Sequence, residues 1–421
     1  MNGLRIGRRG LLGAGALLPL AASASASVVR AAEPDLAGLH DITGDAKPID
    51  TAEYARRLAN AQVSMKANNI AAVVIEAGSS MVYFTGVHWW QSERLTAAIL
   101  PAEGTPCIVT PFFEEPSVHE TLAVPATFRV WQEDESPMET IAGFLRDNKL
   151  AKGRIGIEAN VRYFAFHGLG EALPDATLVP ATPVVRATRM TKSAAELALM
   201  QTATDVTIAA YRWVYPRVEK GMSQGQVSAL MDAATRKLGG SPEFSMVLIG
   251  ESSAYPHGSK HPRTVADGEV VLMDCGCTVY GYQSDVSRTW VHGTASAEQR
   301  KVWNHVHQGQ QVAIKAAKIG TPAGEVDDAV RRFYEKLGYG PGYKLPGLSH
   351  RTGHGIGLDG HEPVYLVHGE TTPLAAGMCF SDEPGIYIPG KFGVRLEDCF
   401  HMTDAGPRFF SEPPKSMDEP V

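Results

Sequence analysis

The sequence predicts an α+β domain over residues 188–421 preceded by a smaller α/β domain over residues 51–187. Two observations carry this. Between residues 51 and 187, β-prone runs and helical stretches take turns, which is the mark of an α/β layer. Beyond residue 188, two pairs of helical stretches alternate with long β-prone segments, the pattern of helix pairs wrapped on an antiparallel sheet. A chain of 421 residues, 44% hydrophobic and 20% charged, is long enough for two or three domains with sizeable cores. A net charge of -7 and the lack of any Lys/Arg block argue against a nucleic-acid partner.

The chain begins with "RIGRRGLLGAGALLPLAASASA", a basic start, an apolar centre and a small-residue end. Residues 1–31 are therefore expected to be an export signal, cleaved after Ala24-Ser25-Ala26 or Val29-Arg30-Ala31. Arg8-Arg9 before Gly-Leu-Leu gives it a twin-arginine-like form, with an ordinary secretory signal as the alternative. The mature protein is expected in the periplasm or outside the cell. The apolar centre is short and rich in Gly, Ala and Ser, and no later stretch is long enough to span, so no membrane insertion is expected after removal of the signal.

Residues 32–50 are polar and turn-rich and read as a linker. Thr51–Ala67 reads as a helix from the spacing of its apolar positions. "IAAVVIEAGSSMVYFTGV" reads as a strand, a Gly-Ser turn and a second β-prone run. "TAAILPAEGTPCIVTPF" reads as strand, turn, strand, and "RIGIEA" as a strand after the helical "METIAGFLRDNKL". The boundary near residue 188 follows from the two prolines of "PATPVVRATRM" and a helix start with Ser193 as N-cap and Glu196 three residues on. Helices then run to about Lys237, and later ones occupy Ser296 to Ile319 and Ala323 to Leu337. "SEPPKSMDEPV" closes the chain with a disordered-looking composition. In the first domain, Trp89 and Trp90 of "GVHWWQSERL" are either a pocket wall or packing residues. The five cysteines are too few and scattered for a disulfide scaffold, and Cys275 and Cys277 read as packing thiols whose side chains alternate away from Asp274.

"VVLMDCGCTVYGYQSDVSRTW" carries the chemistry. A hairpin centred on Val279 and Tyr280 sets Asp274 opposite Asp285 on one face. Two carboxylates that close are unfavourable unless a proton, an arginine or metal ions offset them. "CFSDEPGIYIPGKFGVRLEDCF" repeats the device, because pairing about Gly390 sets Glu383 opposite Glu397. Between the two hairpins, "LSHRTGHGIGLDGHEP" places His350, His354 and His361 among glycines. Two Asp, two Glu and one His suit a pair of oxygen-preferring divalent ions, manganese or cobalt, with zinc or iron as further options. Such a pair can hold a bridging hydroxide and polarise a carbonyl.

The motifs "DCGCTVYGYQSDVSRT", "HRTGHGIGLDGHEP", "SDEPGIY" and "GVRLEDC", in this order over residues 188 to about 405, resemble the pita-bread metallopeptidases: prolidase, aminopeptidase P and methionine aminopeptidase. The preceding segment resembles the amino-terminal domain of the creatinase, prolidase and aminopeptidase P branch, which disfavours methionine aminopeptidase. The resemblance implies a pita-bread catalytic domain and a metal site of Asp274, Asp285, His354, Glu383 and Glu397, with Asp285 shared between two ions. It implies that His257 binds substrate or transfers a proton, that His350 and His361 line the cleft and steady the tetrahedral intermediate, and that Arg395 supports substrate or nearby carboxylates. Glu383 then shuttles the proton from water to the leaving nitrogen. The implied activity is hydrolysis of Xaa-Pro bonds, as a dipeptidase or an aminopeptidase, by a homodimer acting on peptides with proline at the second position. The same scaffold also hosts a creatinase-like amidinohydrolase, organophosphorus hydrolases, a lyase, and non-catalytic binding proteins. All five ligand positions are intact here, which sets the chain apart from the metal-free branch.

Overall fold

The computed structural model describes residues 34–421, so the expected export signal lies outside the described residues. Helix α1 (Thr51–Ala67) starts where the Asp50 side chain accepts the Glu53 amide at 2.7 Å. Strands β1 (Ala72–Glu76), β2 (Ala97–Pro101), β3 (Cys107–Pro111), β4 (Thr127–Trp131), β5 (Arg154–Ile157) and β6 (Thr177–Pro180) form one sheet in the order β4-β3-β2-β1-β5-β6. Both faces are covered. Helix α1, α2 (Ser79–Thr85) and α6 (Thr182–Arg189) bury Met65, Phe84 and Val184 against Val73 and Ile75. Helices α4 (Pro137–Asp147) and α5 (Tyr163–Ala172) bury Ile141 and Leu169 against Val74 and Ile99 on the other face, while the short α3 (Glu115–His119) follows β3. Burial on both sides explains why β1 reads as an unbroken apolar run.

The run "SSMVYFT" is the helix α2, where its β-prone composition predicts a strand. Helical spacing sets Met81 and Phe84 into the core, and that packing outweighs the strand propensity of Val and Tyr. Residues 32–50 read as a linker; from Leu36 to Ile49 the segment lies against the second domain, with Leu36, Leu39, Ala46 and Ile49 packed on its core and the Ile42 amide donating to the Leu238 carbonyl at 3.0 Å. The carboxyl tail is ordered too, because Met417 enters a hydrophobic core and Asp418 pairs with Arg300 at 2.6 Å.

The second half begins with helix α7 (Ala194–Val214), whose capping box is complete: Ser193 accepts the Glu196 amide and Glu196 accepts the Ser193 amide. Helix α8 (Gln224–Lys237) follows, and the two cover a sheet of β7 (Ser241–Ile249), β8 (Val270–Val279), β9 (Tyr282–Gln283) and β10 (Val286–Val291). Helices α9 (Ala297–Ala316) and α10 (Ala323–Lys336) cover a second sheet through Val302 and Val330. That sheet consists of β11 (Gly353–Gly355), β12 (Glu362–Leu366), β13 (Cys379–Asp382), β16 (Asp398–Thr403) and β17 (Gly406–Phe409), in the order β12-β11-β13-β16-β17. A two-stranded ladder, β14 (Gly385–Ile388) with β15 (Phe392–Arg395), extends it. The result is the pita-bread arrangement, two helix-covered sheets facing a shared cleft, and the sheets meet through a bridge between Ser287 and Glu397.

Buried charges tie the halves together. The Arg57 guanidinium donates to the Tyr282 hydroxyl at 2.8 Å and lies 3.4 Å from Glu196, while that hydroxyl donates to Glu196 at 3.0 Å. All three are at most 2% exposed. Replacing Arg57 by Ala leaves Glu196 buried without its cation, so Arg57→Ala is expected to cost about 3 kcal/mol of stability. Thermal denaturation checks this: the midpoint falls by several degrees, and an unchanged midpoint would show that the node carries no net stability.

Candidate metal centre

The first carboxylate pair is built by the hairpin β8–β9–β10, with a register two residues from the sequence expectation. The turn residues are Tyr280 and Gly281, both with positive φ (48° and 82°), so Val279 pairs with Tyr282 and Asp274 faces Ser287. A two-residue turn whose twist matches the strands needs positive φ at both positions, and Gly281 supplies one without strain. The shift is even, so Asp285 keeps its face and sits diagonally across from Asp274. Its position in the gap between β9 and β10 frees its backbone from the ladder, and its carbonyl accepts the Cys399 thiol instead.

The second pair follows the expected register about Gly390: Gly385 pairs with Arg395, and Asp382 with Asp398. Glu383 and Glu397 face each other where the two ladders part. Their amides turn to other partners, the Thr352 carbonyl at 2.9 Å and the Ser287 carbonyl at 3.1 Å. Both carboxylates are thereby aimed into the cleft. His354, on β11, donates from Nδ1 to the Gly355 carbonyl at 3.0 Å. A carbonyl only accepts, so Nδ1 carries the proton and the bare Nε2 faces Glu383 at 3.4 Å and Asp285 at 3.6 Å.

The structure thus brings Asp274, Asp285, His354, Glu383 and Glu397 to one cavity of about 560 Å³. Ligand atoms of Asp285, His354 and Glu397 all lie within 4.8 Å of one another. Burial, with Asp274 and Glu383 as neighbours, raises the Asp285 carboxyl well above its ordinary range. Burial and Asp285 do the same to Glu397. Burial pushes Glu383 up to about 8 against the pull of Arg395. Burial also holds His354 down at about 3, so it is neutral and available as a ligand. Asp274, Asp285 and Glu397 each keep one buried carboxylate oxygen without a hydrogen-bond partner. Clustered acids with unsatisfied oxygens and one bare imidazole nitrogen are what hard divalent cations require, so these residues fit the metal ions the sequence implies.

An outer layer holds the acids in place. Arg395 donates to Asp274 at 2.6 Å, to Ser287 at 2.9 Å and to the Tyr387 hydroxyl at 3.1 Å; Ser287 in turn donates to Glu397 at 2.8 Å. Tyr387 escaped the sequence reading, although alternation from Glu383 through Gly385 places it on the same face. Gly385 is required there, since a Cβ would stand 2.5 Å from the Tyr387 hydroxyl oxygen. Glu362 was missed as well. It accepts the Leu358 and Asp359 amides at 3.0 and 3.2 Å and meets Lys192 at 3.0 Å and Arg189, so it pins the loop before His361 to the segment joining the domains. Burial alone would raise its carboxyl, but Lys192 and Arg189 hold it at about 2.

The cleft histidines divide into two kinds. His257 and His361 line the cavity and make no hydrogen bond to any described residue. His350 also lines it, but Nδ1 donates to the Arg351 carbonyl at 2.7 Å and Nε2 accepts the Tyr387 hydroxyl at 2.7 Å. Both nitrogens are engaged, which places His350 in a supporting position where the sequence reading sets it against the intermediate. His261, four residues after His257, is exposed. Trp89 packs on the first domain's core with Trp90 stacked on it at 4.7 Å, and neither lines the cavity. All five cysteines are buried and free, and Cys277 bonds to Thr207 at 3.3 Å, away from the acids.

The raised carboxyl of Glu383 makes stability depend on pH. Between its ordinary value of 4.5 and about 8, the folded metal-free protein binds more protons than the unfolded chain, so stability falls as pH rises through that window. Neutral His350 and His354 act in the opposite sense, but only below their ordinary 6.5. From pH 6.5 to 8 the metal-stripped protein is therefore expected to lose stability, by up to about 1.4 kcal/mol per pH unit for each such group. Urea denaturation at stepped pH checks the sign. A midpoint that does not fall would show that Glu383 is already ionised in the folded protein.

Comparison with known proteins finds matches along both domains. Residues 198–404 match the model of metallopeptidase family M24, and residues 57–191 match the creatinase/prolidase N-terminal domain. The probable dipeptidase PepE of Mycobacterium tuberculosis is 32% identical over 365 residues, covering 85% of this chain and 94% of the relative. An Xaa-Pro dipeptidase of Lactobacillus helveticus is 32% identical over 340 residues, covering 80% and 91%. The crystal structure of dipeptidase PepE from Mycobacterium ulcerans superposes with a TM-score of 0.81 at 33% identity, covering 88% of this chain and 98% of that one.

Proposed function

Since the chain belongs to metallopeptidase family M24 and is a peptidase, we propose that it hydrolyses Xaa-Pro bonds with two divalent metal ions, manganese first among them. The observation that carries this is the convergence of four carboxylates, two buried and two partly buried, and the bare Nε2 of His354 on one cavity. Asp274, Asp285, His354, Glu383 and Glu397 would hold the ions. When bound, a pair of such ions supplies Lewis acidity to the scissile carbonyl and lowers the pKa of the attacking water, the bridging hydroxide of the proposed reaction.

The protein's own groups do the rest. Glu383 takes a proton from the attacking water and delivers it to the departing proline nitrogen. His257 and His361, whose ring nitrogens are free, donate to the oxygen that gains charge. Arg395 and Tyr387 fix Asp274 and His350, so the acids need not reorganise during the reaction. The proline requirement has a chemical basis: the bond lacks the N–H that other peptidases grip, and the ring fixes its own geometry, so shape can select it.

Two further readings belong to this proposal. The first is export, on the strength of Arg8-Arg9 and the apolar stretch that follows; among the described residues no helix is long and apolar enough to cross a membrane. The second is assembly as a homodimer, which the exposed Trp90, Phe112 and Phe113 of the first domain support as contact residues.

The deciding experiment measures proline release from Gly-Pro, and amino-terminal residue release from a Gly-Pro-Xaa tripeptide, by metal-stripped protein with manganese restored. Metal-dependent cleavage is the expected result. Failure on both peptides with metal demonstrably bound would move the reaction to non-peptide chemistry. Glu383→Ala is expected to abolish turnover while circular dichroism stays unchanged, and near-normal activity would remove Glu383 from its assigned role.

A further inference from the structure

The cavity holds a cation that the reaction described above does not use. Arg351 lines it beside His354, His361 and Glu383. Its guanidinium stacks on the Tyr365 ring at 4.2 Å and makes no hydrogen bond or ion pair with any described residue. Other arginines around the site are committed: Arg395 to Asp274, Arg288 to Asp398, Arg189 to Glu362, and Arg331 to Asp327. The Arg351 backbone is fixed as well, because its carbonyl accepts His350 Nδ1.

A half-buried guanidinium, oriented by an aromatic face and left with its donors free, is built to receive a planar anion in two parallel hydrogen bonds. The acids of the cavity do not fill that role. None lies within ion-pair distance of Arg351, and Asp274, Asp285, His354, Glu383 and Glu397 already converge on one another.

On the premise that the site cleaves Xaa-Pro bonds, we propose that Arg351 determines specificity by pairing with a carboxylate of the peptide substrate. Two substrate groups carry that chemistry: the terminal carboxylate of the proline in a dipeptide, and the side chain of an acidic first residue. The first would make the enzyme favour dipeptides over longer chains. The second would make it favour acidic residues before proline.

The test compares kcat/KM of the manganese-loaded wild type and Arg351→Gln on two matched substrate pairs, Ala-Pro with Ala-Pro-amide and Glu-Pro with Gln-Pro. Loss of a charge-assisted pair is expected to reduce one discrimination ratio by about 10–100-fold. Collapse of the Ala-Pro to Ala-Pro-amide ratio identifies the terminal carboxylate as the partner, and collapse of the Glu-Pro to Gln-Pro ratio identifies the side chain. Arg351→Lys, which keeps the charge and loses the planar fork, should retain part of whichever ratio collapses. If both ratios stay within twofold of wild type, the inference is overturned, whatever happens to absolute rates. A wild type that cleaves none of the four substrates would instead refute the Xaa-Pro reading.

Discussion

Four carboxylates gathered around one cavity, two of them buried and two partly buried, are the constraint on which the rest of this structure depends. Like charges at that separation in a poorly solvated site oppose ionisation, which is why Asp285, Glu383 and Glu397 are all displaced toward their protonated forms. The protein itself offsets only part of that repulsion. Arg395 meets Asp274, and the Ser287 hydroxyl meets one oxygen of Glu397, but other buried oxygens are left over. Such a site is costly as a structural element and well suited to holding divalent cations. Stability is given up where binding is required.

The surrounding layer follows from the same constraint. Acids that repel one another stay aimed at a common point only if their backbones are anchored elsewhere. The two ladders therefore part at Glu383 and Glu397, whose amides bond to neighbouring segments. Arg395, Tyr387 and His350 form a chain of hydrogen bonds whose members each satisfy the next. Glu362 extends this order to the domain boundary, where Lys192 and Arg189 turn a buried acid into a clamp on the loop preceding His361. The first domain is thus tied to the second through this clamp and through the Arg57–Tyr282–Glu196 node.

Much of the fold is legible because local rules and global packing agree. Ser193 and Glu196 announce a helix start and form it, and pairing about Gly390 was readable from the Pro-Gly turn. The disagreements arise where a distant partner decides. The run Ser79–Thr85 is helical because its apolar side chains reach the core at helical spacing. The tail is ordered because Met417 finds a core and Asp418 finds Arg300. The first hairpin is shifted by two residues because the turn takes Tyr280 and Gly281 as its positive-φ pair.

The sequence by itself determined which groups meet at the site. Residue type and alternation specify two pairs of acids on strand faces and a histidine loop between them, and these are short-range properties of the chain. Tertiary structure decided what each group is free to do. His350, His354 and His361 are chemically the same residue in one loop, yet neighbours engage both nitrogens of the first, one of the second and neither of the third. Arg351 and Arg395 look alike as letters, and only packing leaves one paired with Asp274 and the other facing the cavity with its donors unused. Hydrogen-bond partners come from segments far apart in the chain, so the availability of a group cannot be read until those segments are in place.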